Sequence, residues 1–180
     1  MANLSWADLA AYLDWSALRP MTELEFEKVC RGTMPRVAGE YPWGDITINA
    51  YNSTTVLNGL QPTEVANTVL NGRCAVALNS GNPIYGPLKV GVFATATSGR
   101  SSAGASYYGA TFTGTLGDGT LTAIGNANQA TWPSITTATG IGQRGGEYVS
   151  PTVYVRTSDR TFASTTNADR NYTFGGRGVR

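Results

Sequence analysis

Few residues in this chain have side chains suited to chemistry. Asp118, Asp159 and Asp169 are carboxylates that could in principle pair for acid–base work, yet nothing in their spacing marks a dyad. Asp159 lies in the triplet Ser158, Asp159, Arg160, which reads as a structural arginine pairing instead. Cys30 and Cys74 are the only thiols, and no histidine occurs anywhere. The commonest general base and the commonest transition-metal ligand are thereby absent. Ser-His-Asp, Cys-His and zinc–histidine sites are excluded on composition alone. Cys30 falls near the end of a helical pattern with Phe26 and Val29, which favours a buried thiol. A disulfide with Cys74 depends on a distance that sequence does not supply.

The elements that must position these groups are those of one α+β domain spanning residues 1–180, long enough to bury a core. Charged residues make up 14%, well below the usual quarter, while 41% are hydrophobic and aromatics are plentiful. That balance points to a loop-rich folded domain rather than disorder. The net charge of +1 provides no field toward nucleic acid or anionic membrane. Eleven of the thirteen cations are arginine, which suits planar, partly buried pairings better than lysine does. No apolar run approaches the ~18 residues of a membrane span. No signal peptide is expected at the start, because Asp8 and Asp14 interrupt the apolar stretch there.

Helices are expected first. Ser5-x-x-Asp8 is a capping signal followed by Trp6, Leu9, Ala10 and Leu13 at helical spacing. Thr22-x-x-Glu25 after Pro20 is a second, with Phe26, Val29 and Cys30 as its apolar stripe and Gly32 as its stop. After Gly32 short strands are expected at 46–51, 74–78, 89–95, 106–114, 146–158 and 177–180. The segment 41–44 reads as a turn with aromatic anchors, and 52–72, 98–104 and 114–142 read as long loops.

Four blocks carry a resemblance. They are residues 18–32, residues 39–44 (GEYPWG), residues 90–110, and GQRGGEYV at 142–149 followed by GGRGVR at 175–180. In this order the chain resembles the formylglycine-generating-enzyme (sulfatase-modifying factor) branch of the C-type lectin fold. The resemblance implies two N-terminal helices, short twisted antiparallel strands and long loops. It also exposes departures. Gly145, Gly146 and Tyr148 match, but the positions of the family's two catalytic cysteines fall on Ser150 and Val155. A hydroxyl and an isopropyl group cannot hold Cu(I), which needs soft sulfur ligands. The expectation is therefore no enzyme, no catalytic residue and no cofactor. The family's calcium-site stretch is replaced by GTLGDGTLTAIGNAN. Asp118 and Asn126 there fall short of the six to eight oxygens a hard cation wants, so no metal is expected. The family's first strand has no counterpart, which leaves that strand to another chain, an edge to be managed, or a trimmed piece.

A subset of this branch serves as variable proteins of diversity-generating retroelements, and the tail is similar to theirs. Framework-like Ser158, Asp159, Arg160, Ala163, Arg170, Gly175, Gly176 and Arg177 alternate with small, polar or aromatic residues. Randomising the adenines of an asparagine codon cannot yield Lys, Gln, Glu, Met or Trp. From 147 to 174 only Glu147 belongs to that set, against roughly five expected at ordinary usage. Tyr and Phe bring contact area at low entropy cost, and Ser, Thr and Asn adapt their hydrogen bonds. The expected ligand-binding residues are Tyr148, Ser150, Thr152, Tyr154, Phe162, Asn167, Asn171, Tyr172 and Phe174. On a strand the first four would share one face. The resemblance implies a binding domain for a protein or carbohydrate ligand, on a phage tail or bacterial surface. The other expectation is a structural virion protein that packs against neighbouring subunits or copies of itself.

Overall fold

The computed structural model describes residues 3–50, 56–58, 61–66, 73–74, 106–109, 114–146, 150–171 and 174–180. In chain order the elements are α1 (Trp6–Trp15), β1 (Arg19–Pro20), α2 (Glu23–Arg31), β2 (Asn49–Ala50), β3 (Val56–Leu57), β4 (Val65–Ala66), β5 (Arg73–Cys74), β6 (Ser106–Gly109), β7 (Ile141–Arg144), a 3₁₀ helix (Thr152–Val155) and β8 (Gly178–Val179). They belong to two compact units. One takes Met1–Phe26, Gly104–Gly145 and Arg160–Arg180, and the other takes Glu27–Ala103 and Gly146–Asp159. The units interleave along the chain, so no linker marks a boundary between them in the sequence.

The first unit is built on α1. Ser5 caps it, its hydroxyl accepting the Asp8 N–H at 3.1 Å while the Asp8 carboxylate accepts the Ser5 N–H at 2.8 Å. This is the reciprocal capping box that the sequence predicts. Trp6, Leu9, Ala10 and Leu13 recur on one face and bury against Trp132, Ala138 and Ile141, with Leu18, Ile135 and Phe174 partly buried around them. The two indoles also spend their polar edges: Trp6 donates to the Pro133 carbonyl and Trp132 to that of Thr115. The helix ends in a double hydrogen bond, Leu18 N–H to the Leu13 carbonyl and Ala17 N–H to that of Asp14. That pattern places Ala17 in the left-handed region at φ 53°.

The chain then runs into β1, which pairs antiparallel with β8, Arg19 opposite Val179 and Pro20 opposite Gly178. β6 and β7 form the other antiparallel pair of this unit. The glycines of the C-terminal block lie against α1. A Cβ on Gly176 would collide with the Leu9 side chain, and one on Gly178 with that of Leu13. α2 begins at the predicted capping box, Thr22 and Glu25 exchanging hydrogen bonds, and stops at Gly32 with φ 66°. Its predicted stripe is only partly right. Phe26 and Cys30 are buried, whereas Val29 is 48% exposed.

In the second unit Glu40 is fully buried and receives the Arg31 guanidinium, which Glu27 also engages at 2.8 Å. The next residues bear out the aromatic turn: Tyr41 is buried and stacks on Trp43 with centroids 4.9 Å apart. Thr157 donates its N–H to the Glu40 carbonyl at 3.0 Å, and the Arg156 guanidinium lies 5.9 Å from the Tyr41 ring centroid. β3 and β4 pair antiparallel inside the stretch read as loop 52–72, whereas β2 and β5 pair parallel. The purely antiparallel expectation is therefore corrected. The predicted strand 89–95 lies outside the described residues.

Candidate functional site

The sequence-predicted binding residues divide between the units, and each group is placed within its own. In the first unit, residues 160–170 form a turn-rich segment held at both ends by arginine. Arg160 Nε donates to Glu23 Oε1 at 2.5 Å, the oxygen that also receives Arg144 Nη1 at 2.6 Å. Arg144 is buried, and its guanidinium sits 5.3 Å from the Phe26 ring centroid. Arg170 closes the other end on Asp8. Between the two, Gln143 N–H donates to the Phe162 carbonyl at 2.9 Å, which fixes the segment to β7. Ala163 N–H bonds back to the Arg160 carbonyl and Thr165 N–H to that of Phe162. Asn167 Oδ1 accepts the Asp169 N–H at 2.8 Å, an Asx turn. The backbone is thus fixed while the side chains of Thr161, Phe162, Ser164, Thr166 and Asn167 are exposed, Phe162 at 41%.

The remaining predicted residues of this unit are placed differently. Asn171 is half-buried and forms a backbone bridge with Leu4, and Phe174 packs against the core. Tyr172 lies outside the described residues. In the second unit Tyr148 does too. Ser150 is buried, and Thr152 and Tyr154 are half-buried on the 3₁₀ helix. The strand expected over 146–158, with Ser150, Thr152 and Tyr154 on one face, is therefore corrected at 152–155. Pro151 (φ −52°, ψ 144°) cannot donate to a ladder, and the chain turns immediately after it. The turn also brings Val155 and Tyr154 onto Gly146, where a Cβ would lie 2.8 Å from Val155 Cγ1. Proline inside a run of alternating apolar residues was the signal against a strand.

One arrangement escaped the sequence. Asp14, in the last turn of α1, is fully buried. Its Oδ1 accepts Asp118 N–H and Gln129 Nε2, both at 3.0 Å, and its Oδ2 accepts Asn128 N–H at 2.9 Å. Its own carbonyl takes Gly119 N–H at 3.0 Å. A carboxylate at a helix C-terminus opposes the helix dipole, but these donors offset that and satisfy the buried charge. The result organises the loop 114–132. Asp118 Oδ1 accepts Thr120 N–H and hydroxyl, at 2.8 and 2.6 Å, and these bonds hold its carboxyl below the usual carboxylate range. Asn126 closes a turn with Thr122 instead. Among the described residues no group of three or more Cys, Asp and Glu is disposed to hold a metal ion.

No family model, no curated protein and no solved structure matches this chain. Among the described residues no helix is long and apolar enough to cross a membrane.

Proposed function

We propose that this chain is a non-enzymatic ligand- or receptor-binding domain whose adaptable surface is the tail segment 161–169. The scaffold is read as a C-type lectin-like fold of the formylglycine-generating-enzyme type, displayed on a phage tail or bacterial surface. The observation that supports this most is the division of labour within the tail. Arg160 and Arg170 are spent on Glu23 and Asp8, and the Phe162 carbonyl on β7. Of the side chains between them Ala168 packs partly buried against the core, whereas Thr161, Phe162, Ser164, Thr166 and Asn167 are exposed, where change is tolerated best. Thr, Ser, Asn and one exposed aromatic are the composition of adaptable paratopes.

The test is a display library randomised at 161, 162, 164, 166 and 167. Most members are expected to fold, and selections against bacterial surface proteins and glycans are expected to yield binders. In parallel, the gene's 3′ end sequenced from many individuals is expected to vary at these codons with GGRGVR fixed. Unfolded library members together with an unvaried tail would overturn the reading and move the structural virion role to the front.

A further inference from the structure

The second unit carries a loop whose side chains its core does not take up. α2 ends at Arg31, whose guanidinium engages Glu27 within the helix and the buried Glu40 beyond it. The pairing with Glu40 closes residues 32–39 into a loop at its base, and Glu40 N–H on the Val37 carbonyl at 3.3 Å tightens the return. Gly32 and Gly39 turn the chain out and back at φ 66° and 73°, and a Cβ at either would meet nothing within 4 Å. Both ends of the loop therefore stand in open space. Every residue from 33 to 38 is exposed, among them Met34 at 59% and Val37 at 46%. Met34, Pro35, Arg36 and Val37 are consecutive, so at most about 14 Å of chain spans them and one partner segment can meet all four. Charge singles the loop out as well. From 27 to 40 the charged side chains are Glu27, Lys28, Arg31, Arg36 and Glu40, and both acids engage Arg31. Lys28 and Arg36 are exposed, and among the described residues neither has an acidic partner. Lys28 sits where the loop departs, its carbonyl accepting the Gly32 N–H at 2.7 Å.

We infer that the loop 33–38 is a docking surface for an acidic protein segment with apolar residues between its carboxylates. The Arg36 guanidinium is a planar fork that takes a carboxylate through two hydrogen bonds, and Lys28 supplies a second cation at the loop's start. Met34 and Val37 stand on either side of Arg36 in the chain and give the partner's apolar residues a surface, the thioether adapting to their shape. Pro35 fixes its own φ and the Arg31–Glu40 pairing fixes the base, so less freedom is lost on binding. The charge also selects against other occupants. Two unpaired cations repel a basic partner, and they fall well short of the roughly four to eight that hold a chain to an anionic bilayer.

Panning a random-peptide display library on the immobilised whole chain tests this. Peptides with several carboxylates separated by apolar residues are expected to be enriched. In fluorescence anisotropy, binding of such a peptide is expected to weaken about tenfold or more in Arg36→Glu and in Met34→Ser, and to weaken as salt rises. Phe162→Ala is expected to leave it unchanged. Met34 and Arg36 are exposed, and circular dichroism checks that the variants fold. No enriched peptide, or enriched peptides without acidic residues, overturns the assignment. So does an acidic peptide that both loop variants bind as tightly as wild type. Binding that Phe162→Ala abolishes places the peptide on the tail and overturns it too. Co-sedimentation with phosphatidylserine–phosphatidylcholine vesicles that Arg36→Glu abolishes, without any peptide binding, assigns the loop to a membrane instead and also overturns it.

Discussion

Arg170 grips Asp8 at two points, Nη2 2.5 Å from Oδ1 and Nε 2.9 Å from Oδ2. The same Oδ2 accepts the N–H and hydroxyl of Ser5, at 2.8 and 2.7 Å. One carboxylate thus starts α1 and ends the display segment, and Arg170 and these bonds hold its carboxyl well below the usual carboxylate range. The two partners are not equivalent. Arg170→Ala removes an exposed ion pair, which solvent screens, and is expected to cost little. Asp8→Ala also removes the cap and is expected to cost about 1.5 kcal/mol. Urea unfolding of both variants checks the order, and equal costs would mean that the cap contributes nothing. Amide exchange across 163–170 is expected to quicken in both.

Asp14 is a fully buried carboxylate that accepts three hydrogen bonds from the loop 114–132. Asp14→Ala orphans two backbone N–H groups and is expected to destabilise by about 3 kcal/mol, with Asp14→Asn intermediate. Asp118→Ala, at a fully exposed side chain, is expected to change the unfolding midpoint little. Matching midpoints for wild type and Asp14→Ala would show that the loop does not depend on this carboxylate.

Ala17 occupies the position after a helix where glycine is usual. A left-handed residue with a Cβ costs on the order of 1 kcal/mol, so Ala17→Gly is expected to stabilise by about that amount. A thermal melt should rise; a fall would mean that glycine's extra freedom in the unfolded chain outweighs the relieved strain.

Gly176 and Gly178 let the C-terminal block lie directly on Leu9 and Leu13. Gly176→Ala is expected to cost about 1–3 kcal/mol through overpacking. Because the added methyl meets the Leu9 side chain, Gly176→Ala combined with Leu9→Ala should cost less than the two changes summed. Strict additivity would place the strain elsewhere.

Acid should weaken the fold through Glu25. Its bidentate pairing with Arg19, helped by Thr22, lowers its pKa from 4.5 to about 2. The unfolded chain then binds the proton more readily than the folded one. This contribution is complete above about 4.5 and is lost as pH falls toward about 2. Glu25→Gln is expected to flatten the stability–pH curve in that window, and an unchanged slope would remove Glu25 from the account. With Glu25 about one-third exposed, solvent screening keeps the effect modest.

Both helix starts were legible because a capping box is local: Ser5 with Asp8 and Thr22 with Glu25 need only three-residue spacing. The apolar stripe of α1 followed for the same reason. Asp14 was not legible, since its partners lie more than a hundred residues away and an aspartate late in a helix ordinarily faces water. Arg160 and Arg170 could be read as framework, but their acids could not be named. The strand geometry expected over 150–154 does not hold, because the chain turns into a 3₁₀ helix directly after Pro151.

The pairing of β1 with β8 sets an order of events during synthesis. α1 is made before residues that cover its apolar face, among them Phe174, Gly176 and the partners of Arg19 and Pro20. Until that C-terminal segment emerges, Leu9 and Leu13 lack their final neighbours. This unit therefore completes its packing only after translation has passed residue 179.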